Sequence, residues 1–396
     1  MLKEKIRDIA RSLQDKAVAT RRHLHAHPEL SFVEENTCAF VAGKLDALGI
    51  PYQKMANTGL VALLQGTKGP SDQVVALRAD MDALPITELN DVPYRSQNPG
   101  VMHACGHDVH TTSLLGVVEI LLQLRHTFSG TVKFIFQPGE ECIPGGASLM
   151  IAEGVLQNPA PARILGQHVM PELPVGKIGI RPGRYMASAD EIYIEVYGKG
   201  GHGAMPHTTT DPVIIASHMI IAFQQIVSRN ADPTMPSVLS FGKVIADGAH
   251  NVIPDKVIID GTFRTLDETW RFDAHERIRK MANSIAEGMG GSCEVNIRVG
   301  YPVLMNHEAL TAEVRAQMEE YMGAENVVDL PIWMAAEDFA SYSQQADACF
   351  YRLGVRNDAR GITSGLHTAT FDADEQCLEI GAGLMAWLAL RSLGAS

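Results

Sequence analysis

The sequence predicts an α/β protein of two domains, the larger one interrupted by a ferredoxin-like α+β domain. Three observations point there. Up to about residue 185, short apolar runs alternate with helical stretches, the order that covers a sheet with helices on both faces. From about 186 to 300 the order becomes strand–helix–strand–strand–helix–strand, the split arrangement of ferredoxin-like domains. The length, 396 residues, exceeds what one hydrophobic core usually serves. Mixed α/β sequence resumes from Ala309. Residues 1–185 and 301–396 are therefore assigned to the larger domain and 186–300 to the inserted one.

The elements follow in order. Residues 3–20 form an amphipathic helix, and 34–48 a second, ended by Gly49. Strands follow at 59–65 and 74–78, the latter a short apolar run between turn residues. Residues 111–123 form a buried helix, 131–136 a central strand, 147–154 a helix and 162–168 another strand. In the inserted stretch Ile192, Ile194 and Val196 alternate with polar residues, the period of a half-buried strand. Residues 212–228 are helical, with Pro212 in the first turn. Residues 237–245 and 256–266 are strands. Residues 268–288 form a helix charged on one side, and 293–299 alternate again.

Composition excludes several classes. Hydrophobic residues make up 46% and charged residues 20%, a balance that rules out general disorder. The net charge of -13 has the wrong sign for a broad nucleic-acid footprint or for attraction to anionic lipid. No apolar run reaches the length of a membrane span. The N-terminal stretch lacks the apolar core of a signal peptide, so a cytoplasmic protein is expected. Six cysteines without a C-x-x-C pair are too sparse for a disulfide scaffold. Most should be small buried hydrophobes.

The densest chemistry lies in Met102-His103-Ala104-Cys105-Gly106-His107-Asp108-Val109-His110. Cys105 and His107, two apart on a predicted loop, can face one metal ion, and thiolate with imidazole suits zinc and related borderline metals. An isolated pair of this kind is more often a buried cysteine among ordinary histidines. Gln137-Pro138-Gly139-Glu140-Glu141 follows directly on a strand, where open α/β sheets bind ligands. One carboxylate can bind metal while the other takes a proton from a metal-held water. Standing alone, such a pair is better explained as a solvated turn. His168 closes a predicted strand, and His367 lies in Gly365-Leu366-His367-Thr368; a lone histidine is usually structural. The recurrence of Cys, His, Glu and His after apolar runs argues against coincidence.

On the inserted domain, the glycine-rich run at 198–203 lacks the G-K-[ST] ending of a P-loop, which excludes nucleotide binding. Its glycines allow close backbone approach, with His202 exposed. Asn251 and Arg264 flank the hairpin between the two middle strands. Arg264 is either an exposed strand residue or a carboxylate clamp.

These motifs together resemble the dinuclear metal-dependent amidohydrolases related to aminoacylase and carboxypeptidase G. The nearest branch holds hippurate hydrolases and indoleacetyl-amino-acid hydrolases. The resemblance runs from Arg22-His23-Leu24-His25 and Pro28-Glu29-Leu30-Ser31-Phe32 through Leu77–Pro85, Met102–His110 and Phe136–Glu141. It continues through Gly166-Gln167-His168, Gly200–His207, Asn251–Pro254 and Gly261–Arg264 to Ala336-Glu337-Asp338-Phe339 and His367.

The resemblance implies a phosphorylase/hydrolase-like catalytic domain with a ferredoxin-like lid that also dimerises in relatives. It implies hydrolysis of an N-acyl amino acid or small peptide by water shared between two divalent ions (Zn, Mn, Co or Ni). Cys105, His107, Glu141, His168 and His367 match the metal ligands, and Glu140 the general base. His202 matches the group that meets the reacting carbonyl. Asn251 and Arg264 match the holders of the substrate carboxylate. Asp82 keeps the acid of an H-x-D motif whose histidine is replaced here by Asp80. The implied partners are a small-molecule substrate and a second copy of the chain, with neither nucleic acid nor membrane. Two rival readings are a cysteine-nucleophile hydrolase using Cys105 and a non-catalytic protein that binds amino-acid conjugates. Acetyl, benzoyl, indoleacetyl and peptidyl groups all fit the motifs.

Overall fold

A computed structural model describes residues 2–395. The chain forms two compact units. One comprises the chain up to Gly183, Met305–Pro331 and the chain from Asp338 on; the other comprises Arg184–Leu304 and Ile332–Glu337. The chain opens with α1 (Leu2–Ser12), α2 (Gln14–Ala26), α3 (Glu35–Ala47), β1 (Tyr52–Met55), β2 (Gly59–Gln65) and β3 (Val74–Asp80). Then come α4 (His107–Gln123), β4 (Thr131–Gln137), α5 (Gly146–Ala152), β5 (Arg163–Pro174), β6 (Ile178–Ile180) and β7 (Gly183–Met186). The second unit carries β8 (Asp190–Tyr197), β9 (Gly201–His202), α6 (Pro212–Gln225), β10 (Ser237–Ala246) and β11 (Val252–Ile253). It continues with β12 (Lys256–Thr265), α7 (Glu268–Gly288) and β13 (Ser292–Val299), and β14 (Leu304–Asn306) follows. The chain closes with α8 (Glu308–Met322), β15 (Val327–Asp329), α9 (Ala340–Ser343), β16 (Asp347–Arg356) and α10 (Gln376–Ser392).

In the first unit eight strands form one mixed sheet in the order β1-β2-β4-β3-β5-β16-β6-β15. β3 runs parallel to both β4 and β5, and β5 parallel to β16. Every residue of β3 is buried, as parallel strands covered on both faces require. Helices α4 and α10 meet closely in the core: a Cβ added at Gly116 would stand 2.9 Å from the Cβ of Ala382. Only glycine fits that approach.

The second unit is a four-stranded antiparallel sheet in the order β10-β12-β8-β13. Ile192, Ile194 and Val196 of β8 lie in one core with Ile215 and Phe223 of α6 and Ile278 of α7. The alternation seen in the sequence is the inward face of that strand. Asp211 caps α6 by accepting from the Val213 N–H at 2.8 Å, and Asp267 caps α7 through the Trp270 N–H at 2.9 Å.

Three expectations are corrected. The single helix expected over 3–20 is two helices, and α2 runs on to Ala26. Its last turns bury Arg21 and His25, polar residues that an apolar pattern does not register. The helix expected from 111 begins at His107, because its first turn is buried through polar side chains. The strand expected to end at His168 continues to Pro174. Four of the six cysteines are buried and all are free thiols. No helix among the described residues is long and apolar enough to cross a membrane.

Candidate metal centre

The centre sits where two parallel strands part. β3 pairs with β5 only as far as Arg78 opposite Gly166. β3 stays with β4 to Asp80 opposite Gln137, while β5 stays with β16 past His168 opposite Arg352. Such a parting is where open α/β sheets bind ligands. The first turn of α4 fills it, and the Val169 N–H donates to His110 Nε2 at 2.8 Å. Gly106 (φ 80°) turns the chain between Cys105 and His107. A Cβ there would lie 2.4 Å from Val169 Cγ2, so the turn needs glycine on both conformational and steric grounds.

Hydrogen bonds fix which ring nitrogen each histidine presents. His107 Nδ1 lies 3.1 Å from Asp82 Oδ1. Its buried Nε2 makes no hydrogen bond among the described residues and stands 3.7 Å from Asp80 Oδ2. His168 Nδ1 donates to the Val169 carbonyl at 2.7 Å, leaving Nε2 3.4 Å from Cys105 Sγ. These are the arrangements by which a carboxylate or carbonyl orients a metal-binding imidazole. His110 differs. Its Nδ1 meets Asp80 Oδ1 at 2.6 Å and its Nε2 already accepts from Val169, so it has no lone pair to give and braces the others.

Among the described residues five donor triads each fall within 4.8 Å, and three of them are built from the expected ligands and base: Cys105, His107 and His168; Cys105, Glu141 and His367; and His107, Glu140 and Glu141. The first two share Cys105. His367, half-exposed and at φ 58°, has Nε2 3.3 Å from Glu141 Oε1. Its loop is pinned by its own N–H to the Ala104 carbonyl at 2.8 Å. Asp82 Oδ2 accepts from Ser31 Oγ at 2.7 Å and from the Glu141 N–H at 2.9 Å.

The electrostatics favour a cation. Burial, with Glu141, Glu140 and Asp80 close by, pushes the Cys105 thiol well above its ordinary range. Burial, reinforced by Arg352 and His110, holds His168 well below the usual imidazole value and so neutral. Burial also opposes charge on His107, but Asp80 and Asp82 outweigh it and push the ring up to about 10. An inward-facing set of carboxylates, a thiol and imidazoles is suited to divalent ions.

The structure therefore gathers Cys105, His107, Glu140, Glu141, His168 and His367, with Asp82 behind His107. Two placements differ from expectation: His107 opens a helix rather than sitting in a loop, and His168 lies inside β5 rather than at its end. In the second unit β9 pairs with β11, setting His202 opposite Val252, and the Gly203 N–H donates to the Asn251 carbonyl at 2.8 Å. His202 and Asn251 are thus neighbours, both exposed. Arg264 lies on β12 opposite Val238 and is partly buried.

Sequence reasoning assigned no role to Ser31, Glu34, Arg78, His110 or Asp338. Arg78 donates to Asp80 and Asp338, both at 2.6 Å, and the Asp338 N–H donates to Glu140 Oε1 at 3.4 Å. All but Glu34 lie within the quoted motifs, which was the available signal.

The model of peptidase family M20/M25/M40 matches residues 76–391. An N-acyl-L-amino acid amidohydrolase of Geobacillus stearothermophilus is 44% identical over 78% of this chain and 82% of its own length. An N-acetyl-L-cysteine deacetylase of Bacillus subtilis is 37% identical, covering 93% of this chain and 86% of that one. The solved YXEP protein of Bacillus subtilis, a dinuclear metal-binding peptidase of the M20 family, shares the fold at a TM-score of 0.83. It is 33% identical over 98% of this chain and 100% of that one. With a family match through most of its length and relatives this similar, the chain belongs to peptidase family M20/M25/M40 and is a hydrolase.

Proposed function

We propose that the protein hydrolyses N-acyl amino acids to a carboxylic acid and a free amino acid, using two divalent cations. The observation that carries the reading is the pair of donor triads sharing Cys105, set beside Glu140. The buried, unbonded Nε2 of His107 and the thiol of Cys105 are what such ions would satisfy. Cys105, His107, His168, Glu141 and His367 would hold the ions. Thiolate, imidazole and carboxylate together suit zinc, manganese, cobalt or nickel. Bound there, divalent ions supply Lewis acidity and lower the pKa of water. The names of the amidohydrolase and deacetylase relatives support the substrate class.

Glu140 takes the proton of the attacking water and returns it to the leaving nitrogen. The Asp338 N–H holds one of its oxygens. Asp82 keeps His107 in the orientation that exposes Nε2. By the resemblance, His202 would donate to the oxygen that gains charge, and Asn251 and the Arg264 guanidinium would bind the substrate carboxylate. A cysteine nucleophile is disfavoured, because a reactive thiolate needs a lowered pKa and that of Cys105 is raised.

Glu140→Gln tests the reading. The variant should keep its metal content while kcat falls by about 10²–10⁴-fold, the usual contribution of a positioned acid–base group. A near-normal kcat with full metal would remove Glu140 from the mechanism.

A further inference from the structure

We infer that Glu34 is a positioning residue for the turn that carries Glu140 and Glu141, gripping the Gly139 N–H from beneath. The inference rests on the reading of Glu140 as the general base.

Glu34 is fully buried and stands at the N-cap position of α3, yet its side chain does not cap that helix. Its carboxylate binds elsewhere. One oxygen accepts from the Gly139 N–H at 2.8 Å, and the other from Thr58 Oγ1 at 2.7 Å. The carboxylate is taken out of water, which disfavours its charge and raises its pKa. Glu34 belongs to none of the donor groups close enough to share an ion, so it is not a further metal ligand among the described residues.

The turn it holds cannot hold itself. Gly139 adopts φ 59°, and a Cβ there would lie 2.3 Å from the Phe32 ring. Glycine is therefore required, and glycine leaves the backbone loose. Two bonds fix its peptide groups: the N–H to Glu34, and the carbonyl accepting from the Gly146 N–H at 3.0 Å. On the other side of Glu140, the Glu141 N–H is held by Asp82, which Ser31 also engages. Residues 31–34 thus anchor the chain on both sides of Glu140, directly through Glu34 and by way of Asp82 through Ser31. A displacement of about 1 Å in a reacting group costs on the order of 100-fold in rate.

The experiment compares Glu34→Ala, Glu34→Gln, Glu140→Gln and the double variant Glu34→Ala/Glu140→Gln, each with metal content, kcat and KM on an N-acyl amino acid. Glu34→Ala should lower kcat by about 10- to 100-fold while KM and metal content stay near normal. Glu34→Gln keeps an acceptor for Gly139 and a partner for Thr58, and should restore most of the rate. If Glu34 acts through Glu140, the double variant should be no slower than Glu140→Gln alone. A normal kcat in Glu34→Ala, or losses that multiply in the double variant, overturns the inference and leaves the role of Glu140 standing. A normal kcat in Glu140→Gln overturns that role instead. Should Glu34→Ala not fold, Thr58→Val decides. It frees one oxygen of Glu34 and should lower kcat several-fold at constant KM, and an unchanged kcat counts against the inference.

Discussion

At Cys105 the charge state is set by the surroundings rather than by the residue. Burial and three nearby carboxylates keep it a neutral thiol until a cation takes their place as its nearest charge. Metal binding at this position should therefore release a proton and strengthen as pH rises. Cys105→Ser should lose metal along with activity, because a hydroxyl is a far poorer anionic ligand at neutral pH. Metal analysis of the purified variant checks this, and full occupancy with normal turnover would contradict it. The residues of the centre were legible because Cys105, His107, Glu140, Glu141, His168 and His367 are chemically conspicuous and sit in dense motifs. Glu34 was not. A glutamate before a helix reads as part of that helix's first turn, and only the fold shows its carboxylate facing residue 139.

Among the elements, the two misplaced helix ends have one cause: buried charge. The end of α2 and the start of α4 are joined by Arg21 donating to Asp108 at 2.8 Å. His25 lies between Asp108 at 2.8 Å and Glu88 at 3.1 Å. Apolar periodicity misses helical turns buried this way, so it ends α2 too early and starts α4 too late. In the second unit the same device joins β8 to α7. Asp190 accepts two bonds from Arg271, at 2.9 and 2.5 Å, and meets His275 at 2.8 Å. Burial works against the Asp190 carboxylate, but Arg271 and His275 outweigh it and hold its pKa below the ordinary value. A depressed folded pKa gives stability that is fully present above the unfolded value of about 3.9 and is lost as pH falls through the folded one. Asp190→Asn should cost about 3–5 kcal/mol at neutral pH, the usual effect of stripping one partner from a buried pair. The gap between variant and wild type should close as pH drops below about 4. Urea denaturation at the two pH values measures it; a gap independent of pH would count against the ion pair as its source.

For the whole molecule, the change of pattern near residue 185 lies beside the Gly183/Arg184 division between the two units, while Ile332–Glu337, expected in the larger domain, group with the second unit. What the pattern could not show was the join between α/β segments distant in sequence, because no local period records which strands become neighbours. A metal centre built at such a join links ligand to stability. Ions that bind only the folded chain stabilise it by about 4 kcal/mol at a thousandfold excess over Kd. Chelation should therefore lower the melting temperature reversibly, and zinc or manganese should restore it. A melting curve indifferent to chelator would mean the donors are satisfied without a cation.

The pairing of β5 with β16 has a kinetic side. Tyr351 and Gln167 touch across this pair although they stand 184 residues apart. Chain closure over such a span is entropically costly and slow, whereas β8, β12 and β13 come from one nearly continuous stretch. During synthesis β5 waits, its partner edge open, while the residues between Pro174 and Asp347 emerge and the shorter-range sheet has time to form. The first unit is then the slow-folding, aggregation-exposed part of the chain, and the centre that depends on His367 and Asp338 is completed last. Pulsed hydrogen exchange during refolding should find the amides of β8 and β12 protected before those of β5 and β16; the reverse order would place the nucleus in the larger sheet.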